Sequence, residues 1–238
     1  MSAPVTFVLV PGAGGRAVYW HRLVPELRGR GHDAVAVELP AADDSAGLRR
    51  YADVVVEAAA GHERVVLVAQ SMAGFSAPLA CDRLPVELLV LLNAMVPRPG
   101  ETPGEWWADT GQAEARAEFA ARQGRTLTDT FDLTEEFLHD VPPEAVAVLM
   151  AAGEAPQSGT PFGERWPLDR WPDVPTRFLQ GRDDRLFPLA FQRRVVRERL
   201  GIEVEEMPGG HLLALSQPGE LADRLDACHA ALLEGAGR

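Results

Sequence analysis

Short apolar runs without internal alternation constrain the fold of this chain more than any other feature. Continuous runs are expected for parallel strands that are covered on both faces, whereas a half-exposed strand alternates apolar and polar residues. The predicted strands are Thr6–Val10, Ala34–Leu39, Arg64–Ala69, Leu88–Leu92, Thr176–Gln180 and, as a more polar edge strand, Ile202–Met207.

Helical patterns separate these strands. Each has apolar residues three or four positions apart, which places them on one face of a helix. Because strands and helices alternate, the sequence predicts an open α/β fold with a mostly parallel sheet and flanking helices. The predicted helices of this core are Trp20–Arg28, Leu48–Ala60, Met72–Arg83, Leu189–Leu200 and Pro218–Leu233.

The alternation stops between residues 96 and 174. This stretch contains four of the five tryptophans, many prolines and two further helical patterns, Pro103–Gln123 and Thr134–Ala152. We therefore predict one α/β core formed by residues 1–95 and 175–238, with residues 96–174 inserted as a small helical cap.

The predicted cap is rich in tryptophan and in acidic residues. Packing within the cap is the main role expected for the tryptophans, and a place in the wall of an acyl pocket is the alternative for one or two of Trp106, Trp107 and Trp166. The acidic residues run from Glu101 to Asp140 and include Asp129. They predict negative charge at the pocket entrance, which disfavours an anionic substrate.

Charge and cysteine content limit the partners. Lysine and arginine number 23 and aspartate and glutamate 35, so the formal net charge of the 238 residues is −12. This charge disfavours nucleic acid, whose phosphates are bound by clustered basic residues. No apolar run could span a bilayer and no basic segment precedes the first one, so we predict a cytoplasmic protein without a membrane partner.

Cys81 and Cys228 are predicted as buried thiols, since neither a disulfide framework nor a metal-ligand spacing accompanies them.

The segment VLVAQSMAG, residues 66–74, places a serine where a predicted strand meets a predicted helix. A serine on such a sharp turn projects its hydroxyl from the edge of the sheet, and the helix N-terminus favours developing negative charge. The usual pattern is Gly-x-Ser-x-Gly, and here Ala69 and Ala73 occupy the glycine positions, followed by Gly74. Ser71 is therefore a candidate nucleophile, and a helix N-cap is its alternative role.

A glycine-rich loop, PGAGG, follows the first predicted strand and can present backbone N–H groups to an anion. A dinucleotide site is the alternative. Gly12 and Gly14 begin a Gly-x-Gly-x-x-Gly pattern, and Glu38 ends the second strand, where a ribose-binding acid lies. However, Ala17 breaks the pattern, and dinucleotide binding leaves three polar residues at other strand ends without a role: Ser71, Asp184 and His211.

Acidic residues and a histidine follow the last two predicted strands. Asp183 and Asp184 come after the fifth strand, and His211 follows the sixth in a Pro-Gly-Gly-His loop. The carboxyl ends of parallel strands form one edge of an open α/β sheet, which is where such sheets bind ligands. A serine hydroxyl needs an imidazole to accept its proton and a carboxylate to orient that imidazole. The order serine, acid, histidine is that of α/β hydrolases.

Over nearly its whole length the sequence resembles the α/β-hydrolase superfamily, and within it the branch of small methylesterases and hydroxynitrile lyases. PGAGGRAVYWHRL resembles the oxyanion segment of that branch, with Trp20 at the expected position. AQSMAG resembles its nucleophile turn, GRDDRLFP its acid loop and PGGHLLALSQP its histidine loop. The acid-loop pattern, Gly-x-x-Asp-x-x-x-Pro, selects Asp184 over Asp183, because Asp184 lies four residues before Pro188.

The resemblance implies a Ser–His–Asp enzyme in which Ser71, Asp184 and His211 are catalytic. It also implies that the backbone N–H groups of Ala13 and Met72 form an oxyanion hole. No metal and no organic cofactor are implied, and the expected partner is a small-molecule ester, with a homodimer left open as the assembly.

The expected function is hydrolysis of a small, largely apolar carboxylic ester through an acyl-enzyme. The alternatives are a lyase, an enzyme acting on a thioester or lactone, and a non-catalytic protein that binds a ligand on the same fold. Two departures from the family pattern leave the substrate open: Pro11 replaces a histidine beside the oxyanion segment, and alanine replaces both glycines of the nucleophile turn.

Overall fold

The computed structural model describes residues 4–127 and 132–236, which form six strands and eleven α-helices. The strands are β1 (Thr6–Val10), β2 (Asp33–Ala36), β3 (Val65–Gln70), β4 (Val86–Leu92), β5 (Thr176–Gly181) and β6 (Val204–Met207). The helices are α1 (Leu23–Gly29), α2 (Leu48–Ala58), α3 (Ala73–Ser76), α4 (Pro103–Thr110), α5 (Gln112–Arg122), α6 (Leu133–Phe137), α7 (Pro143–Ala151), α8 (Thr160–Gly163), α9 (Leu189–Leu200), α10 (Leu213–Ser216) and α11 (Pro218–Ala236). Within the described part of the chain, no helix combines the length and the apolar character needed to cross a membrane.

The sheet has the strand order β2-β1-β3-β4-β5-β6, and every neighbouring pair is parallel. Strand β3 shows why its apolar run is continuous: Val65 and Leu67 pack into a core cluster on one face, and Val66 and Val68 into a cluster on the other. Helices α2 and α9 cover the first face, and α1 and α11 cover the second. The predicted open α/β fold with a parallel sheet and flanking helices is confirmed.

The predicted strands lie within three residues of the observed ones at every end, and β6 is an edge strand as predicted. The single helix predicted over residues 72–83 is instead two consecutive helices of different types. Helix α3 is a single turn, and the chain continues as a 3-10 helix, Ala77–Arg83, with Pro78 in its first turn. Proline lacks the N–H group that would continue the α-helical hydrogen bonds.

Residues 96–174 contain helices α4 to α8 between strands β4 and β5. Both long helices predicted here are divided in two. Gly111, with a φ of 67°, separates α4 from α5, and Pro142 and Pro143 start α7 after α6 has ended at Phe137. A left-handed residue ends a helix, and proline cannot continue one. The division of the chain into core and cap stays a prediction.

Buried side chains attach the 96–174 segment to the sheet. The indole N–H of Trp166 donates to the carbonyl oxygen of Phe75 in α3 at 3.1 Å. The Arg199 guanidinium in α9 forms a buried ion pair with Glu101, with 2.8 Å between Nη2 and Oε1. These bonds join the segment to helices α3 and α9, which pack on the sheet.

Candidate active site

Loops that follow four different strands meet at one edge of the sheet. Strands β2 and β3 lie on opposite sides of β1, so the chain leaves β1 in one direction and β3 in the other. Ligands of open α/β sheets bind at such a switch point, outside the carboxyl ends of the strands. Three residues predicted from separate loops come into contact there: Ser71, Asp184 and His211.

Ser71 occupies a tight turn between β3 and α3. Its φ is 55°, a left-handed value that residues other than glycine rarely adopt. The turn is held from both sides, because the Ser71 N–H donates to the carbonyl oxygen of Leu92 at 3.2 Å and the Ser71 carbonyl accepts from the Met95 N–H at 2.9 Å. The strained backbone therefore fixes the direction of the hydroxyl.

Two glycines let other segments approach this turn closely. A Cβ on Gly12 would lie 2.7 Å from the Cβ of Ser71, and a Cβ on Gly74 would overlap the carbonyl oxygen of Met95. Only glycine fits at such positions. Ala73 occupies a glycine position of the usual pattern, and its side chain is buried there. The position that requires glycine is therefore the next one, Gly74.

The ring of His211 links the other two side chains. Its Nε2 lies 3.1 Å from Ser71 Oγ, and its Nδ1 lies 2.8 Å from Asp184 Oδ2. Phe137 of α6 stacks on the ring, with 4.6 Å between centroids and 18° between planes. When Nδ1 carries the proton that is shared with the carboxylate, Nε2 is free to accept the proton of the hydroxyl.

The carboxylate of Asp184 is fully buried and well supplied with donors. Its Oδ1 accepts from two backbone N–H groups of the following turn, both at 2.9 Å, and its Oδ2 accepts from Gln180 Nε2 at 3.2 Å as well as from His211. These bonds replace its lost hydration and hold one orientation. Asp183 is exposed, and its Oδ2 accepts from the Gly209 N–H at 3.3 Å instead. The structure therefore brings Asp184 and not Asp183 to the imidazole.

The N–H groups of Ala13 and Met72 have no hydrogen-bond partner within the residues that the structure describes. The amides on both sides of Ala13 are occupied, because they donate to the side-chain oxygens of Gln70 and Gln157 at 3.0 and 2.9 Å. Met72 lies at the start of α3, where backbone N–H groups have no partner inside the helix. Both amides are thus available as donors beside Ser71, and their role as an oxyanion hole stays a prediction.

The relation of the chain to known proteins agrees with this geometry. A sequence model of the alpha/beta hydrolase family matches residues 7–224, from strand β1 into helix α11. This chain is an α/β hydrolase. The fold family that the sequence motifs predict is confirmed.

Relatives of this α/β hydrolase match it over almost its whole length. The "Probable esterase PIR7A" of Oryza sativa subsp. indica is 30% identical in an alignment of 250 positions, gaps included, that covers 92% of this chain and 94% of that protein. The "Alpha-hydroxynitrile lyase" of Arabidopsis thaliana is 26% identical in an alignment of 246 positions that covers 93% of this chain and 95% of that protein. The crystal structure of a pyrethroid hydrolase from Sphingobium faniae JZ-2 superimposes with a TM-score of 0.74 at 22% identity, over 98% of this chain and 100% of that one. The resemblance to esterases and hydroxynitrile lyases is confirmed.

Asn93 supports the site of this α/β hydrolase and was missed in the sequence analysis. It directly follows β4 with a φ of 45° and is fully buried. Its Nδ2 donates to the carbonyl oxygens of Gly210 and His211, both at 2.9 Å, and its Oδ1 accepts from the Gly181 N–H at 2.7 Å. One amide therefore joins the histidine loop to β5. The available signal was a polar residue directly after a buried strand, which is also the position of the acid loop.

Gln70, the residue before the candidate nucleophile, is the second side chain that was missed. Its Oε1 accepts from the Gly12 N–H at 3.0 Å, and its Nε2 lies 3.5 Å from the carbonyl oxygen of His211. The side chain thus contacts the glycine-rich loop and the histidine loop from the end of β3. Its place next to Ser71 was the only signal in the sequence.

A cavity of about 770 Å³ opens beside Ser71 and His211 in this α/β hydrolase. Sheet-edge loops form one wall, and helices α6 and α7 with the residues after them form the other. Leu133 and Met150, which are 46% and 56% exposed, form an apolar lip. The other apolar side chains of the lining include Val18, Phe137, Leu138, Leu149 and Leu212.

Acidic residues and tryptophans of the 96–174 segment lie elsewhere than predicted. Among the described residues, none of the acids predicted for the pocket entrance lines the cavity, and Asp129 lies outside the described residues. The acidic side chain of the lining is Glu154. Trp106, Trp107 and Trp166 do not line the cavity either. The first two pack on Phe187 and each other, which agrees with the packing role and not with the alternative role in a pocket wall. The prediction of acids at the pocket entrance is wrong for the described residues.

Other residues singled out in the sequence do not line the cavity. Glu38, the acid of the alternative dinucleotide site, accepts from the Ala17 N–H at 2.6 Å and pairs with Arg16 at 3.3 Å. Cys81 and Cys228 are buried free thiols, as predicted, and burial raises their pKa to about 12 and about 11. Within residues 4–127 and 132–236, no group of three or more metal-ligating side chains is placed to hold an ion.

Proposed function

We propose that this α/β hydrolase cleaves a largely apolar carboxylic ester through an acyl-enzyme, with Ser71 as the nucleophile. The observation that carries the proposal is the continuous contact from Ser71 through His211 to Asp184, with distances of 3.1 and 2.8 Å. Such a chain activates a serine at neutral pH, because its proton passes to an imidazole whose charge is balanced by a buried carboxylate. The relation to an esterase over 92% of the chain supports the same chemistry.

In the first half of the proposed reaction, Ser71 Oγ attacks the ester carbonyl carbon while His211 Nε2 takes the hydroxyl proton. His211 donates this proton to the leaving alcohol oxygen, the carbon–oxygen bond breaks, and the acyl group stays on Ser71. In the second half, a water molecule loses a proton to His211 and attacks the acyl carbonyl. The proton returns to Ser71 as the acid leaves, and Asp184 orients the ring throughout.

A negative charge develops on the carbonyl oxygen in both attacks. The proposed donors to this oxygen are the Ala13 and Met72 N–H groups, because neither has another partner within the described residues while the amides beside Ala13 are occupied. Preorganised donors stabilise a transition state more than the same groups in water, and removing one costs about 3–4 kcal/mol in known hydrolases.

The cavity supports an apolar substrate. Its lining is mostly aliphatic and aromatic up to the lip formed by Leu133 and Met150. A volume of about 770 Å³ lies within the range of pockets that enclose drug-sized ligands. Acyl or alcohol groups well beyond acetyl and methyl therefore fit beside Ser71.

A panel of p-nitrophenyl esters with increasing acyl length tests the proposal. We expect Ser71→Ala and His211→Ala each to lower kcat by about 10⁴-fold or more, and a fluorophosphonate to label the wild type but not Ser71→Ala. Ser76→Ala is the matched control, because Ser76 is buried in α3 and its hydroxyl has no partner within the described residues. A wild type that hydrolyses no ester and resists the fluorophosphonate would contradict the proposal.

Hydroxynitrile cleavage is a second candidate, favoured by the relation to an alpha-hydroxynitrile lyase over 93% of the chain. In that reaction Ser71 and His211 would transfer a proton from the substrate hydroxyl without an acyl-enzyme. Release of cyanide from mandelonitrile together with no turnover of esters would favour the lyase. A thioester and a lactone in the same panel separate the remaining acyl substrates.

A further inference from the structure

The lining of the cavity includes a phenol, that of Tyr19, which has no role in the mechanism above. Tyr19 belongs to the 3-10 helix Ala17–Trp20 and lines the cavity. Within the described residues its hydroxyl has no hydrogen-bond partner, whereas the side-chain amides of Gln70 and Gln157 in the same lining bond to other protein groups. A donor is therefore available in the cavity for a group that the protein itself does not supply.

The Tyr19 hydroxyl lies next to the proposed oxyanion loop. It is 3.3 Å from the position that a Cβ on Gly14 would occupy, and Gly14 directly follows Ala13. Tyr19, Ala13 and Ser71 line the same cavity, so an ester bound at Ser71 shares that space with the phenol. The phenol can reach a substrate atom a few bonds from the reacting carbonyl.

The environment of Tyr19 keeps the phenol protonated and its ring in place. Burial raises its pKa above the ordinary value, and this effect exceeds the opposite effect of the nearby Arg16 charge. The ring packs against a buried cluster that includes Leu138, Leu212 and Leu215. Tyr19 is thus a fixed, uncharged hydrogen-bond donor in the wall, between the charged Arg16 and an apolar cluster.

We propose that Tyr19 selects esters that carry a second hydrogen-bond acceptor oxygen, a carbonyl, ether or hydroxyl, within a few bonds of the reacting carbonyl; this selectivity rests on the ester hydrolysis proposed above. A site that donates to a substrate oxygen discriminates against the analogue without it, because the donor is then desolvated and unpaired. The apolar side chains of the wall discriminate mainly by size.

Two pairs of esters that exchange an ether oxygen for a methylene test this role. The first pair, p-nitrophenyl methoxyacetate and p-nitrophenyl butanoate, places the oxygen in the acyl group. The second pair, 2-methoxyethyl benzoate and butyl benzoate, places it in the alcohol. In Tyr19→Phe we expect the ratio of kcat/KM, ether over methylene, to fall about five- to tenfold in one pair. Each ratio comes from one enzyme preparation and is independent of the fraction that is folded.

Tyr51→Phe is the matched control, because Tyr51 is the only other tyrosine and its hydroxyl accepts from Gln157 Nε2 at 3.1 Å without lining the cavity. We expect its ratios to equal those of the wild type. If Tyr19→Phe changes both members of each pair equally, or changes neither, Tyr19 does not select the acceptor oxygen while the proposed function is unaffected. If the wild type hydrolyses none of the four esters, ester hydrolysis and this selectivity fail together.

Discussion

The two walls of the cavity are held together by different forces. On the sheet side, polar groups bond to one another: Asn93 joins the histidine loop to β5, and donors surround the carboxylate of Asp184. On the side of α6 and α7, the wall consists largely of apolar side chains, and its lip is exposed at Leu133 and Met150. Hydrogen bonds depend on direction and distance, whereas apolar burial depends mainly on area.

From this difference we expect the sheet-side wall to control the geometry of the reaction and the helical wall to control which substrates bind. A small displacement on the sheet side moves His211 away from Ser71, so a change there should affect turnover steeply. A change on the helical side removes contact area and should affect affinity in proportion to the area lost. Variants of each wall, with matched controls, test the distinction.

The largest effect is expected from Asp184→Asn. The amide removes the negative charge and disfavours the histidine tautomer that accepts the serine proton, so kcat on p-nitrophenyl butanoate should fall by about 10⁴-fold. The control is Asp183→Asn, which changes an exposed neighbour that does not contact His211 and should retain wild-type turnover. Loss of activity in Asp183→Asn with retention in Asp184→Asn would overturn the choice of acid.

An intermediate effect is expected from Asn93→Ala. This variant leaves the carbonyl oxygens of Gly210 and His211 without their donor and puts alanine at a φ of 45°. We expect a loss of about 2–4 kcal/mol in the free energy of unfolding, measured by urea denaturation, and a lower kcat with little change in KM. Asn93→Gly removes the same bonds without the strain. If Asn93→Gly is as stable as the wild type, the amide bonds do not support the sheet-side wall.

The smallest effect is expected from Met150→Ala at the apolar lip. Loss of contact area should lower kcat/KM for p-nitrophenyl octanoate by about two- to fivefold, while the acetate, whose acyl chain is much shorter, should be affected less. Val148→Ala is the control, because Val148 is 42% exposed on the same helix and does not line the cavity. Equal losses on both esters would show that the lip acts on more than substrate contact.

Strand positions and the residues at strand ends could be predicted because their signals are local. Each apolar run is contained in a few residues, and the serine, acid and histidine directly follow such runs. Gly111 and Pro143 were also visible, but apolar periodicity on both sides concealed the helix breaks that they cause. Asn93, like the acids, directly follows a buried strand. No motif in the sequence indicates which groups its amide bonds to, so its role was not evident.

The places of the tryptophans and acids could not be predicted in the same way. Trp166 donates to an α3 carbonyl, and Glu101 pairs with an arginine of α9 that is 98 residues away in sequence. Both side chains anchor the 96–174 segment and do not line the cavity. Which face of a short helix points to the cavity depends on how the whole segment packs, and the amphipathic pattern of each helix is compatible with more than one packing.

By itself, the sequence determined an α/β hydrolase fold with a parallel sheet and the set of side chains at its carboxyl edge, and its acid-loop pattern already favoured Asp184 over Asp183. Periodicity and turn residues act between near neighbours, and parallel strands connected by helices place their ends at one edge. The tertiary structure alone decided that Asn93 joins the histidine loop to β5, that the tryptophans of the 96–174 segment face away from the cavity, and that the Tyr19 hydroxyl is left without a partner in the described chain. These contacts depend on distances between remote segments, which are set by the packing of the whole core and not by any local preference.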